Sequence, residues 1–152
     1  MGRREDLREI DAALMRVGRI GRGRAATRLR AEVSGVELTN AAAGILSALH
    51  QHGPMRVAAL AEAAATEPPL VSRELRALDG LGFVVVEPDP DDGRGRVVTL
   101  TAAGKDAYER FRDAADRITA HAFRGWSDDD VALLRSLVQR VVSDFAATGP
   151  PD

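Results

Sequence analysis

Residues 66–104, TEPPLVSRELRALDGLGFVVVEPDPDDGRGRVVTLTAAG, decide the fold of this chain. Val71, Leu75 and Leu78 recur at helical spacing, which predicts a helix ending near Leu81 with those side chains buried. Glu67-Pro68-Pro69 before it predicts an extended turn, because a residue preceding proline avoids the α region. Phe83–Glu87 and Arg96–Thr101 are rich in Val, Phe and Thr, as strands are. The turn formers PDPDDGRG lie between them, so the pair reads as a hairpin with a projecting tip.

Upstream, Thr39 is a good N-cap for a helix from Asn40 to about His50, ended by Gly53-Pro54. A third short helix runs from Arg56 to Ala65, with Val57, Leu60 and Ala61 on one face. Followed by the Val71–Leu78 helix across a tight turn, it makes a helix-turn-helix pattern. Residues 4–33 place Leu7, Ile10, Leu14, Val17, Ile20 and Leu29 largely three or four apart, which predicts one long amphipathic helix. Gly18, Gly21 and Gly23 each cost about 1 kcal/mol inside a helix, so they mark a kink or a close approach. The GRIGRG stretch has no preceding strand and lacks nucleotide-loop spacing.

Downstream, Ala102 to about Phe123 carries Tyr108, Phe111, Ala115, Ile118 and Ala122 along one stripe. Ser127 followed by Asp128, Asp129 and Asp130 starts a last helix, with a cap and then acids against the dipole. That helix bears Val131, Leu134, Leu137, Val138, Val141 and Phe145, and stops before Gly149-Pro150-Pro151. The expected fold class is mainly α with a small β-hairpin wing.

At 152 residues, 45% of them apolar, the chain fits a single folded domain (1–152). The absence of cysteine excludes disulfides, thiolate metal sites and thiol redox sensing. Neither a secretory leader nor a bilayer-spanning run is visible, which predicts a cytoplasmic protein. A net charge of −2 does not advertise a nucleic-acid binder, but of 21 basic residues only Lys105 is not arginine. Arginine pairs bidentately with phosphate and with guanine edges.

On the Val71–Leu78 helix, Ser72, Arg73 and Arg76 fall on the outward side, with Pro69 near its start. Arg73 and Arg76 are three apart, so both can reach one groove floor. Arg94 and Arg96 sit among glycines at the hairpin tip, where little bulk blocks entry to a minor groove and its concentrated negative potential. Against this, residues 66–100 hold four Arg and seven acids (Glu67, Glu74, Asp79, Glu87, Asp89, Asp91, Asp92). DNA contact therefore requires those acids to point away or to brace the arginines; Asp92, two residues before Arg94, is the candidate brace.

With these residues in place, the sequence resembles the MarR family of winged helix-turn-helix regulators over nearly its whole length. The most selective piece is Asp92-Gly93-Arg94 with Leu100-Thr101 and Gly104 trailing it, similar to the family's wing signature. The resemblance implies a winged helix-turn-helix lobe (39–104) flanked by helical dimerisation segments (4–33 and 106–147). It implies that Arg94 enters the minor groove and Asp92 holds it, and that Ser72, Arg73 and Arg76 read bases or nearby phosphates. Thr39 and Arg56 would sit against phosphates. It further implies a homodimer, for which Leu7, Ile10, Leu14, Val131, Leu134, Val138 and Val141 are candidate core residues; the amphipathic stripes are independently too long for one small winged lobe to cover. A symmetric dimer spaces its two reading helices about 34 Å apart and predicts a pseudo-palindromic operator on double-stranded DNA. The implied output is repression relieved by a small effector, often an aromatic acid or phenol, with Trp126 or Tyr108 as candidate lining. The double proline at 68–69 and the Arg/Gly stretch of the first helix depart from the family pattern.

No cofactor or metal is expected: His50, His52 and His121 are the only histidines, and His50 and His52 do not share a helix face. No nucleophile–base pair stands out, so an enzyme using His50 or His121 as base is disfavoured. The alternative is a winged-helix protein that acts through protein partners without reading DNA, motivated by the acidic balance of 66–100.

Overall fold

The computed structural model describes residues 2–149. The elements run α1 (Arg3–Arg22), α2 (Arg24–Ser34), α3 (Asn40–His52), β1 (Met55–Arg56), α4 (Val57–Ala63), α5 (Pro68–Gly80), β2 (Val84–Pro88), β3 (Arg96–Leu100), α6 (Ala102–Ala122) and α7 (Asp128–Ala147). This is the expected mainly helical fold with a small β wing. Two compact units are present, Met1–Ala115 and Asp116–Asp152, with the boundary inside α6.

In the first unit the core gathers Ile45, Leu46 and Leu49 of α3 with Leu60 of α4 and Val71, Leu75 and Leu78 of α5, all buried. Val84 of β2 and Val98 of β3 close it from the sheet, and Tyr108 of α6 packs against it. Fully burying each Leu or Ile side chain is worth roughly 1.5–3 kcal/mol, so α5 is held by its inner face. The Tyr108 hydroxyl donates to Ser47 Oγ at 2.9 Å, and its ring lies 5.1 Å from that of His50. Tyr108 is thus a satisfied core residue.

The sheet order is β1-β3-β2, all antiparallel. Val84 pairs with Leu100 and Pro88 with Arg96 at the two ends of the hairpin. Strand β1, which pairs Met55 with Val98 and Arg56 with Val97, was not expected; at two residues it is too short to leave a periodic signal. It trims the third helix, whose expected start at Arg56 becomes the N-cap of α4.

Two expectations need correction. The single helix over 4–33 is broken at Gly23, where the backbone turns extended (φ −71°, ψ 157°). Three glycines within six residues weaken helix propagation there, and Arg30 stabilises the joint by donating to the Gly21 carbonyl at 3.1 Å. The double proline does not form a turn ahead of α5 but starts the helix, with Glu67 as the extended cap (ψ 138°). Prolines fit the first turn because the N–H groups they lack have no helical acceptor.

The wing is locked to α6 by the residues that trail it. The Thr101 hydroxyl donates to the Gly82 carbonyl at 2.7 Å and accepts from the Gly104 N–H at 3.0 Å. Gly104 is buried so closely that a Cβ there would collide with the Phe83 carbonyl.

In the second unit, Ser127 Oγ accepts from the Asp130 N–H at 3.1 Å, as its capping role requires. Phe123 and Trp126 meet edge to face at 5.0 Å. Along α7, Val131, Leu133, Leu137, Val138, Val142 and Phe145 are exposed, and Leu134 and Val141 are half-buried. No helix among the described residues is long and apolar enough to cross a membrane.

Candidate nucleic-acid interface

Helix α5 is 13 residues long and buries Val71, Leu75 and Leu78, leaving Pro69, Ser72, Arg73 and Arg76 exposed on the other side. The sequence-based assignment of faces holds for Val71, Leu75, Leu78, Ser72, Arg73 and Arg76, and Pro69 lies at the helix start as expected. One buried position was missed: Glu74 lies on the inner arc, only 6% exposed. Its Oε2 accepts from the Thr39 hydroxyl at 3.1 Å and its Oε1 from Arg73 Nη2 at 3.4 Å. Thr39 Oγ also accepts from the Ala42 N–H at 2.9 Å, capping α3. One hydroxyl therefore joins the start of α3 to the middle of α5, and its proton faces Glu74. Any phosphate at that corner meets the free N–H groups of the helix start rather than the Thr39 hydroxyl.

Two hydrogen bonds and an ion pair shape the wing tip around one acid that sequence reasoning passed over. Asp89, 5% exposed, takes the Asp91 N–H on Oδ1 at 2.9 Å. Its backbone N–H donates to the Gly95 carbonyl at 2.9 Å, closing the loop. The other carboxylate oxygen, Oδ2, lies 2.6 Å from Arg56 Nε, so the tip is anchored to the β1–α4 junction. The signal available in the sequence was Asp89-Pro90-Asp91, an acid placed to bond the backbone two residues on. Asp92 does the same: its Oδ1 accepts the backbone N–H of Arg94 at 3.1 Å. It shapes the loop rather than pairing with the guanidinium.

The Arg94 guanidinium is consequently exposed and, among the described residues, without a partner, as is that of Arg76. Arg56 spends Nε on Asp89, and its Nη groups have no partner among the described residues. Arg96 turns back along the wing, with Nη2 donating to the Val86 carbonyl at 3.4 Å. Between α5 and the wing lies a groove of about 270 Å³, lined by Val57, Leu75 and Val86 together with Ser72, Arg76, Asp79 and Arg96. The structure therefore brings Ser72, Arg76 and Arg96 to one groove. Glu74 and Asp89 are withdrawn into the fold, so two of the seven opposing acids brace basic residues.

The MarR family model matches residues 38–95, which span α3 through the wing tip. A probable transcriptional regulator from Pseudomonas aeruginosa has a crystal structure superposing with TM-score 0.64, at 30% identity, over 76% of this chain and 86% of that one. The chain belongs to the MarR family. It is a transcriptional regulator of that type, and it is similar to an HTH-type transcriptional regulator of Mycobacterium leprae, 28% identical over 134 residues covering 88% of each chain. The Bordetella bronchiseptica regulator BpsR is 26% identical, with TM-score 0.61 over 84% of this chain and 98% of that one. The BpsR structure concerns regulation of its DNA binding by 6-hydroxynicotinic acid.

Proposed function

We propose that this MarR family regulator binds a pseudo-palindromic double-stranded operator as a homodimer, and represses transcription until a small effector releases it. Helix α5 reads the major groove through Ser72, Arg73 and Arg76, with Pro69 against the backbone; Arg94 of the wing enters the neighbouring minor groove. The observation that carries this reading is the pair of guanidinium groups, Arg76 and Arg94, that have no partner among the described residues and project from two elements braced by the same core. Asp92 and Arg96 set the wing's shape, while Arg56 and the start of α3 at Thr39 lie against phosphates.

A homodimer accounts for the apolar stripes that a lone chain leaves in water. Leu7 and Ile10 of α1 are 53% and 50% exposed, Val131 and Val138 of α7 are 42% and 47% exposed, and Leu14, Leu134 and Val141 extend the same stripes. Exposed apolar stripes of this kind mark an interface. The effector is proposed to be an aromatic acid or phenol, the class to which the BpsR effector belongs.

Binding of Arg73→Ala and Arg76→Ala to operator and random duplexes tests the reading. A residue that reads a base costs roughly 1–3 kcal/mol on operator and little on random DNA. Equal losses on both duplexes for both variants contradict base reading by α5.

A further inference from the structure

We propose that the arginine-rich joint of α1 and α2 is a second DNA-backbone contact, gripping phosphates outside the stretch read by α5 and the wing. The proposal rests on the DNA-binding reading above. Between Asp11 and Glu32 the chain carries six arginines and no acid, in a protein whose net charge is −2. Arg30 is used internally, donating to Gly21 O and to Asn40 Oδ1, each at 3.1 Å. The other five, Arg16, Arg19, Arg22, Arg24 and Arg28, are exposed and make no hydrogen bond or ion pair among the described residues. Elsewhere on the long helices arginines do find acids one turn away, as in Arg110–Asp106 and Arg140–Asp144. The fold thus leaves this cluster uncompensated where it neutralises others.

Geometry then selects the partner. On α1, Arg16 and Arg19 fall across the helix from Leu7, Ile10, Leu14 and Val17, so covering the apolar stripe leaves them free. Arg24 and Arg28 share a face of α2 and, with Arg22, line a hollow of about 400 Å³ at the joint. Glu32 and Glu37 line the same hollow and confine an anion to its arginine side. Arg16 to Arg22 span about 9 Å at 1.5 Å per residue, the axial reach of two to three phosphates on one strand. A row of charges spread over two helices suits a row of phosphates better than one small anion. Continuity ties the row to the reading helix: Arg30 joins the joint to Asn40, and the adjacent Thr39 is bonded to Glu74 on the inner arc of α5.

The test is the salt dependence of full-length protein on random duplex about four helical turns long, from about 50 to 200 mM salt. The variant Arg22→Gln/Arg24→Gln/Arg28→Gln is expected to lower the slope of log K against log salt by about 0.9 for each phosphate no longer neutralised. Replacement of the same three by Lys, which keeps the charge, should preserve the slope. An unchanged slope in the Gln variant overturns the proposal, as does absence of any duplex binding by the wild type. If the Gln variant loses slope but the wild type prefers no sequence, the patch stands and operator reading by α5 falls.

Discussion

The Arg56–Asp89 pair offers a prediction in which the two partners respond unequally. Its side chains are 57% and 3% exposed, so removing either one leaves a very different orphan. Arg56→Ala strands a buried carboxylate that keeps only the Asp91 N–H. Breaking a buried pair in this way costs about 3–5 kcal/mol, and nearness to the surface places this case at about 3. Asp89→Ala strands a guanidinium that water already reaches, and forfeits one charge-assisted hydrogen bond, for about 2 kcal/mol. The double variant leaves no buried charge, so it should resemble Asp89→Ala and be more stable than Arg56→Ala alone. Urea or thermal unfolding at fixed protomer concentration measures this; Arg56→Ala should lower Tm by about 6–12 °C, at 2–4 °C per kcal/mol for a chain of this size. A double variant less stable than Arg56→Ala, or an Arg56→Ala variant within about 0.5 kcal/mol of wild type, refutes the reasoning.

Three further outcomes are expected. Gly104→Ala forces a Cβ against the Phe83 carbonyl and should cost about 1–3 kcal/mol, seen as a fall of several degrees in Tm; unchanged stability contradicts that packing. Val138→Asp, on the exposed apolar face of α7, should convert a dimer to monomers by sedimentation while helical circular dichroism persists; a dimer that survives moves the interface elsewhere. Arg94→Ala should weaken binding most where A·T-rich flanks narrow the minor groove; equal loss on G·C-rich flanks removes the wing from that groove.

Much of this molecule was legible in its sequence because its signals are local. Val71, Leu75 and Leu78 fix the buried face of α5 by spacing alone, and Thr39 and Ser127 announce their helices by capping chemistry. The turn residues 88–95 place the hairpin, and Leu100-Thr101 with Gly104 place the wing against α6. What escaped was either too short or made at a distance. Strand β1 exists only because β3 offers it an edge. Glu74 reads as one more surface acid until α3 brings Thr39 to it from 35 positions away. Asp89 gains its ion pair, beyond the local turn it caps, only once Arg56 arrives across the sheet. Asp92 had the right neighbour and the wrong group: at a separation of two, the backbone N–H of Arg94 is nearer to hand than its guanidinium. The prolines misled because the rule for a residue before proline applies to Glu67, while Pro68 and Pro69 themselves suit a first helical turn.

The central claim is that two copies of α5 and the wing read DNA together, and selection of bound sequences from a random duplex pool by purified, ligand-free protein tests it most directly. The account predicts enrichment of a pseudo-palindrome whose half-sites lie about one helical turn apart. A pool that enriches no motif contradicts it, and so does one that enriches a single half-site without a symmetric mate.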